Sequence, residues 1–518
     1  MKRFPLAFLL LLLPETATLA QERKAEVPHA ACAALPGDTV DPAMLVRPTP
    51  LKEGIGRVSQ KVTTKFAETQ ALADQGLAYL HSYVWIEAAR SFHEALRKDP
   101  DCAMCWVGLA RAEQGMNRDA PAETAIANAK SLSARASDRE KRFVELRAQQ
   151  MEAQTAPPEK EAEKHDLYKK ALEKAIAAWP DDAELWILRG NAEEPGPWGR
   201  GQAGGIGAIA YYEAALARSP GHFGAHHYLI HAFENVGRHA EAAAHAKVYA
   251  AAAPNVAHAQ HMYGHVLPRL GRWKEALDQF EKADAIERAY AKEENLRPGD
   301  DWHHVHNLQL LGYTHLRLGR VTEAEACFRR AFDTPIRSRY YGWQHATLAE
   351  YLLLRGRLPE ALTAARALSD RTPAAQAAGA SVEGEVLLAL GRREEARAAA
   401  VRAGEALEKA KKEARYEARW IERFVSPFVR QLEAEIDLGG KETAKSEAKL
   451  RELADELASN PRFDAWGEGL FRLERIAEEA RRAGRASFAA DIHERMRKID
   501  PEYAAGSTAR TVETRAGD

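Results

Sequence analysis

Two pairs of histidines carry the first chemical signal: His227 with His231 in HHYLIHAFE, and His261 with His265 in HMYGHVLPR. Within each pair the spacing is four, which sets both imidazoles on one helix face. The second pair follows the first by 34 residues, the length of one helix–turn–helix unit in a repeat array. The two pairs are therefore expected at equivalent places on neighbouring, stacked helices. Histidines at i and i+4 can share a metal ion. Helix axes roughly 8–10 Å apart would let the two pairs converge. All-imidazole coordination suits zinc, copper or nickel. A lining of histidine, asparagine, glutamine, tyrosine and arginine equally suits a peptide, a protein segment or a small ligand, with imidazole as donor, acceptor and stacking face.

Fourteen of the 19 histidines fall between His222 and His345. The glycines that end successive first helices give a register for them. Before Gly237 the inward stripe reads Gly224, His227, His231, Glu234 and Asn235. Before Gly271 it reads His258, His261, His265, Pro268 and Arg269, and before Gly319 His306, Gln309, Tyr313 and Arg317. Before Gly356 it reads Trp343, Ala346 and Glu350. Packing positions between the stripes go to Tyr228, Ala232, Tyr263, Gly264 and Leu267. The stripe histidines are thus not needed to fill a core and are predicted to face a concave groove. The expected groove is His227, His231, Asn235, His258, His261, His265, Arg269, His306, Gln309 and Tyr313. The expected metal set is His227, His231, His261 and His265, with Asp300, Asp301, His303 and His304 near enough in sequence to add ligands. His226, His315 and His345 fall off the stripe, and His239 and His245 belong to second helices, so those five read as structural. A stretch near Glu287 to Trp302 lengthens its repeat to 48 residues between Gly271 and Gly319, and is expected to fold over the groove as a lid.

The elements that position these residues are helical. Leu72, Gly76 and Tyr79 lie on one helix, Ala88, Phe92 and Ala95 on the next, and Asp99-Pro100 stops it because proline cannot continue the hydrogen-bond ladder. Units of this kind recur around Gly264, Gly312, Gly356, Gly391 and Gly484, with Leu-Gly-Arg turns at Leu270, Leu318 and Leu390. The pattern resembles the tetratricopeptide repeat over most of residues 63–503, which implies an all-α, tetratricopeptide-like α-solenoid of stacked helix–turn–helix repeats. More narrowly, DPDCAMCWVG from Asp99, the loop Asn191–Trp198 and the histidine block after Pro220 resemble an exported bacterial group of such proteins. That group carries DPxCAMxxWG and HxxxH segments, and here Val107 stands where its pattern has tryptophan. The resemblance implies a fold and no established chemistry.

The remaining features bound the function. Lysine plus arginine (73) nearly cancels aspartate plus glutamate (75), so no basic face calls for nucleic acid. Met1–Ala20 reads as a cleavable signal sequence whose apolar run is too short to span a bilayer, implying a periplasmic or secreted chain with no membrane insertion after cleavage. Residues 21–60, with five prolines, read as a flexible leader; 61–390 as the repeat array, 391–503 as C-terminal helical repeats, and 504–518 as a disordered tail. Cys102 and Cys105 form a C-x-x-C at a helix start, where local packing is favoured over redox or metal chemistry. Neither H-E-x-x-H nor G-x-S-x-G is present, and the glycine-rich Gly199–Gly207 lacks the GK[ST] ending of a phosphate loop. The expectation is a non-enzymatic scaffold that holds a protein, peptide or small ligand in a histidine-lined groove, with a metal-binding protein as the alternative and a metal-dependent hydrolase as a remote one.

Overall fold

The computed structural model describes residues 40–300, 302–335, 341–414, 418–438, 442–459 and 465–500. The expected signal sequence, the start of the expected leader, Asp301 and the expected tail lie outside the described residues. Among the described residues the protein is helical with no strand, and helix hairpins follow one another from Ala67 to Ile499. No described helix is long and apolar enough to cross a membrane.

The hairpin turns explain the recurring glycines. Gly237, Gly271, Gly319, Gly356, Gly391 and Gly484 all have φ between 70° and 74°, a left-handed conformation that costs glycine nothing. An arginine follows each of them just ahead of the next helix, and after Gly237, Gly271, Gly356 and Gly391 it pairs with a glutamate three residues on, as in Arg272 Nε to Glu275 at 2.7 Å and Arg392 Nε to Glu395 at 2.6 Å. Within a hairpin the two helices touch through a small residue facing an aromatic one. A Cβ on Gly312 would stand 2.4 Å from the Phe328 ring. Burying such a phenylalanine contributes about 1.5–3 kcal/mol, so each turn supplies its own piece of core.

First helices form the inner layer. Phe223–Asn235 is buried along its length apart from His226, whereas its partner His239–Ala252 keeps an exposed side. The array winds tightly enough for distant repeats to meet. The Tyr290 hydroxyl donates to Glu87 at 3.0 Å, and Arg90 donates to Glu294 at 2.6 Å. The lengthened repeat is thus a long helix, Trp273–Glu293, whose end closes against the first hairpin.

Residues 40–60 do not behave as a flexible leader. Val40, Met44, Leu45 and Ile55 are buried, Asn255 N–H donates to the Gly54 carbonyl at 2.8 Å, and Lys52 N–H donates to Gln75 at 2.7 Å. Apolar anchors and satisfied backbone groups hold the strap in place despite its prolines. At the far end the last hairpin, Leu470–Arg482 with Ala486–Ile499, turns back onto the inner layer of earlier repeats: Phe471 packs on Tyr313 and Phe328, and Trp466 on Trp273 and Phe280.

Candidate metal centre

Three imidazoles converge at one point. His227 and His231 come from Phe223–Asn235, and His258 from the first turn of Ala257–Val266. His227 Nε2 lies 3.1 Å from His231 Nε2 and 3.1 Å from His258 Nε2, and all three ligand atoms fall within 4.8 Å of one another. Metal–nitrogen bonds of about 2.05 Å at a tetrahedral angle put nitrogens roughly 3.3 Å apart, close to what is seen.

The protonation pattern suits a cation. His227 Nδ1 lies 2.6 Å from the His81 carbonyl, which can only accept, so Nδ1 carries the proton and Nε2 holds the lone pair. Burial pushes the His227 imidazole down to about 3, and burial followed by neighbouring imidazoles pushes His231 and His258 well below the usual histidine range. All three are therefore neutral, which is the ligating form. A second-sphere bond from Nδ1 that fixes ring and tautomer is the usual support of a metal-bound histidine.

The histidine set continues beyond this point. His261 Nδ1 donates to Asn307 Oδ1 at 3.0 Å, a choice forced because the Asn307 amide nitrogen is committed to the Phe280 carbonyl at 3.1 Å. His261 Nε2 is buried with no hydrogen-bond partner. His265 Nδ1 donates to Glu234 at 2.8 Å. The His261 ring lies 4.3 Å from His303 and 5.0 Å from His306, and His303 lies 4.9 Å from His258. His303 meets Glu287 through Nδ1, and burial pushes the Glu287 carboxyl up to about 8. A cavity of ≈ 110 Å³ reaches His258, His303 and Glu287 between the first hairpin and the helix Trp273–Glu293.

The expected site is corrected on two points. The four expected ligands do not form one group: His227 and His231 take His258 as their third partner, while His261 and His265 turn toward His303, His306 and Glu234. Nor do the ten expected residues line an open groove. His227, His231, His261 and His265 are 0% exposed, and Asn235, His258, His306, Gln309 and Tyr313 are buried as well. The reason is the tight winding, which sets the first hairpin and the last one against these side chains. Asn235 ties down the glycine-rich loop through the Gln202 and Gly204 carbonyls (2.7 and 2.9 Å). Arg269 stands 3.6 Å from Glu234. Gln309 donates to Thr347 at 2.6 Å, and Tyr313 packs on Phe471. Of the five histidines read as structural, His226 and His245 meet each other at 2.8 Å across their hairpin.

Several residues at the centre escape a sequence reading. Tyr83 holds φ 57° at the hairpin turn where other repeats place glycine, a conformation rare for a bulky residue and costing about 1–3 kcal/mol. Its ring lies 4.6 Å from His227, 5.3 Å from His258 and 6.2 Å from His231. The signal was there: a tyrosine in the slot of a turn glycine. His81, Glu184 and His222 form a second close group of ligand-type atoms. Here Glu184 accepts from His81 Nε2 (2.9 Å) and His222 Nε2 (2.8 Å). The remaining nitrogens accept from the Tyr228 hydroxyl (3.0 Å) and Ala225 N–H (3.3 Å). That network is closed, and its product is the fixed His81 carbonyl that orients His227. Cys102 and Cys105 are joined in a buried disulfide, and Cys327 is a buried free thiol that burial pushes up to about 12.

Sequence profiles of the tetratricopeptide repeat match residues 207–257, 305–334, 342–367 and 377–402. No curated protein matches the sequence at a significant level. Among solved structures, a tetratricopeptide repeat protein from Parabacteroides merdae is 15% identical, with a TM-score of 0.36 over 56% of this chain and 99% of its own. Yeast Tom70 is 14% identical, with a TM-score of 0.39 over 84% and 90%. MamA from Desulfovibrio magneticus is 16% identical, with a TM-score of 0.29 over 38% and 95%.

Proposed function

We propose that this chain, which carries tetratricopeptide repeats, is an exported metal-binding protein that holds a zinc, copper or nickel ion on His227, His231 and His258. The observation that carries the reading is the convergence of three buried imidazoles, with His227 Nε2 3.1 Å from the Nε2 of both His231 and His258 and the His227 tautomer fixed from behind. Three protein ligands leave a further coordination position for water or a small ligand. His261, His265, His303 and His306 continue the imidazole set beside the three ligands. The disulfide between Cys102 and Cys105 agrees with an oxidising compartment and so with the signal-like first 20 residues. A protein-partner role, common for repeat arrays, would have to use the outer surface, since the histidine stripe is covered by the chain itself.

The test is elemental analysis of untagged protein, purified and then loaded with zinc, copper or nickel, beside His227→Ala and His258→Ala. About one ion per chain is expected in the wild type, falling to less than about a tenth of that in either variant. Equal metal content in all three proteins, or none in the loaded wild type, rejects the reading.

A further inference from the structure

Away from the histidines, the inner layer of the early repeats buries a positive charge with no negative partner. Arg147, in the helix Asp138–Gln154, is 6% exposed. Its guanidinium donates to Gln150 Oε1 at 2.8 Å, to the Ala110 carbonyl at 3.3 Å and to Gln114 Oε1. All three acceptors are neutral, and Nε is buried without a hydrogen-bond partner. Among the described residues neither Arg147 nor Arg111 forms an ion pair. Burial, followed by the charges of Arg111 and Arg200, pulls the Arg147 guanidinium down to about 9, so it remains a cation at neutral pH. Buried charges are ordinarily matched by an opposite charge, because removing an ion from water is costly.

Two cavities of ≈ 30 and ≈ 40 Å³ are both lined by Arg111, Arg147 and Gln150. Each exceeds the roughly 10–15 Å³ needed to admit a single water. The glycine-rich loop lacking a phosphate-loop ending forms part of the larger one. Gln150 and Gln154 donate to the Pro197 carbonyl at 3.3 and 3.0 Å, and Arg200 reaches the Gln114 carbonyl at 3.4 Å. Gly199 has φ 55°, and a Cβ there would stand 2.5 Å from Gln150 Nε2, so only glycine lets the loop sit this close.

We infer that this pocket binds a small oxyanion, a carboxylate or phosphate group, with Arg147 as its buried anchor and Arg111 and Arg200 completing the cationic set. A guanidinium offers paired N–H donors that match such an anion. The site uses none of the histidines and stands whether or not the metal reading does.

The test uses the full chain in chelator-treated buffer, with ionic strength held constant by sodium chloride. Inorganic phosphate and acetate are titrated by calorimetry and by thermal unfolding. The wild type is expected to bind at least one of them and to melt higher as its concentration rises. Arg147→Met is expected to lose at least tenfold in affinity while melting no lower than the wild type in oxyanion-free buffer, since it removes an unmatched charge. Arg200→Gln, at the loop, is expected to weaken binding without disturbing the interior, and serves if Arg147→Met does not fold. A response to phosphate alone identifies a free phosphate site; an equal or stronger response to acetate identifies a carboxylate site. No response in the wild type beyond the chloride control overturns the inference. So does wild-type affinity in both variants, which is the result a merely structural Arg147 gives.

Discussion

The inner layer buries polar side chains at both ends of the array, and the two ends satisfy them in opposite ways. In the later repeats Arg475 bridges Glu385 and Glu350, and Arg472 lies over the Phe428 ring at 3.6 Å and donates to the Phe424 carbonyl at 3.3 Å. Burial and the nearby Glu385 push Glu435 well above the usual carboxylate range. There Arg475 meets its two carboxylates directly, while Arg472 rests on a ring and a carbonyl. In the histidine block the buried groups are mainly imidazoles: His227, His261 and His265 are held at Nδ1, and the Nε2 atoms of His227, His231 and His258 come together. A salt bridge is its own partner; imidazole nitrogens gathered at one point have no ion of opposite charge among them. The difference separates polar residues that hold the fold together from polar residues arranged for something else.

The largest effect should come from the ionic end. Arg475→Met leaves Glu350 and Glu385 buried without their shared cation, and is expected to cost about 3–5 kcal/mol in urea unfolding. A loss below about 1 kcal/mol would make the two ends alike. Next comes the metal. At a concentration about a thousandfold above its dissociation constant, zinc should stabilise the wild type by about 4 kcal/mol. His258→Ala should abolish that increment while Arg475→Met retains it, read as the melting difference with and without chelator.

Acid should then distinguish the ends in metal-free protein. His227 is held down to about 3 in the fold and titrates near 6.5 when unfolded. Its contribution is therefore complete above pH 6.5 and lost as pH falls toward 3, the loss reaching about 2 kcal/mol at pH 5 for this residue alone. Hydrogen exchange should show Phe223–Asn235 and Ala257–Val266 opening first between pH 7 and 5, ahead of Pro373–Ala389. Exchange that rises equally in all three helices would refute the assignment of neutral histidines. The smallest effect belongs to the capping pairs common to both ends. Arg272→Ala should cost about 0.5 kcal/mol or less, and Arg392→Ala should be indistinguishable from wild type in melting.

Much of the fold was legible because it repeats. The glycine at each turn, the arginine after it and the small residue under each phenylalanine occupy fixed offsets, as Gly264 to Phe280 and Gly312 to Phe328 show. The same register placed His227, His231 and His258 on the inner side, though it did not choose His258 over His261 and His265 as their partner. It also treated the inner side as open. Closure depends on Tyr290 meeting Glu87 and on Phe471 meeting Tyr313, contacts between residues 203 and 158 positions apart. No local pattern encodes such distances.

By itself, then, the sequence determined the helices, their turns and the inward stripe, because hairpin geometry is set by side chains within one repeat's reach. Only the tertiary structure decided which imidazoles converge, that they are buried, and that the first hairpin covers them. Those outcomes come from small rotations between successive repeats that accumulate along the array. The same accumulation brings Tyr83 over the three histidines and leaves Arg147 buried beside Arg111 and Arg200 with no carboxylate to meet it.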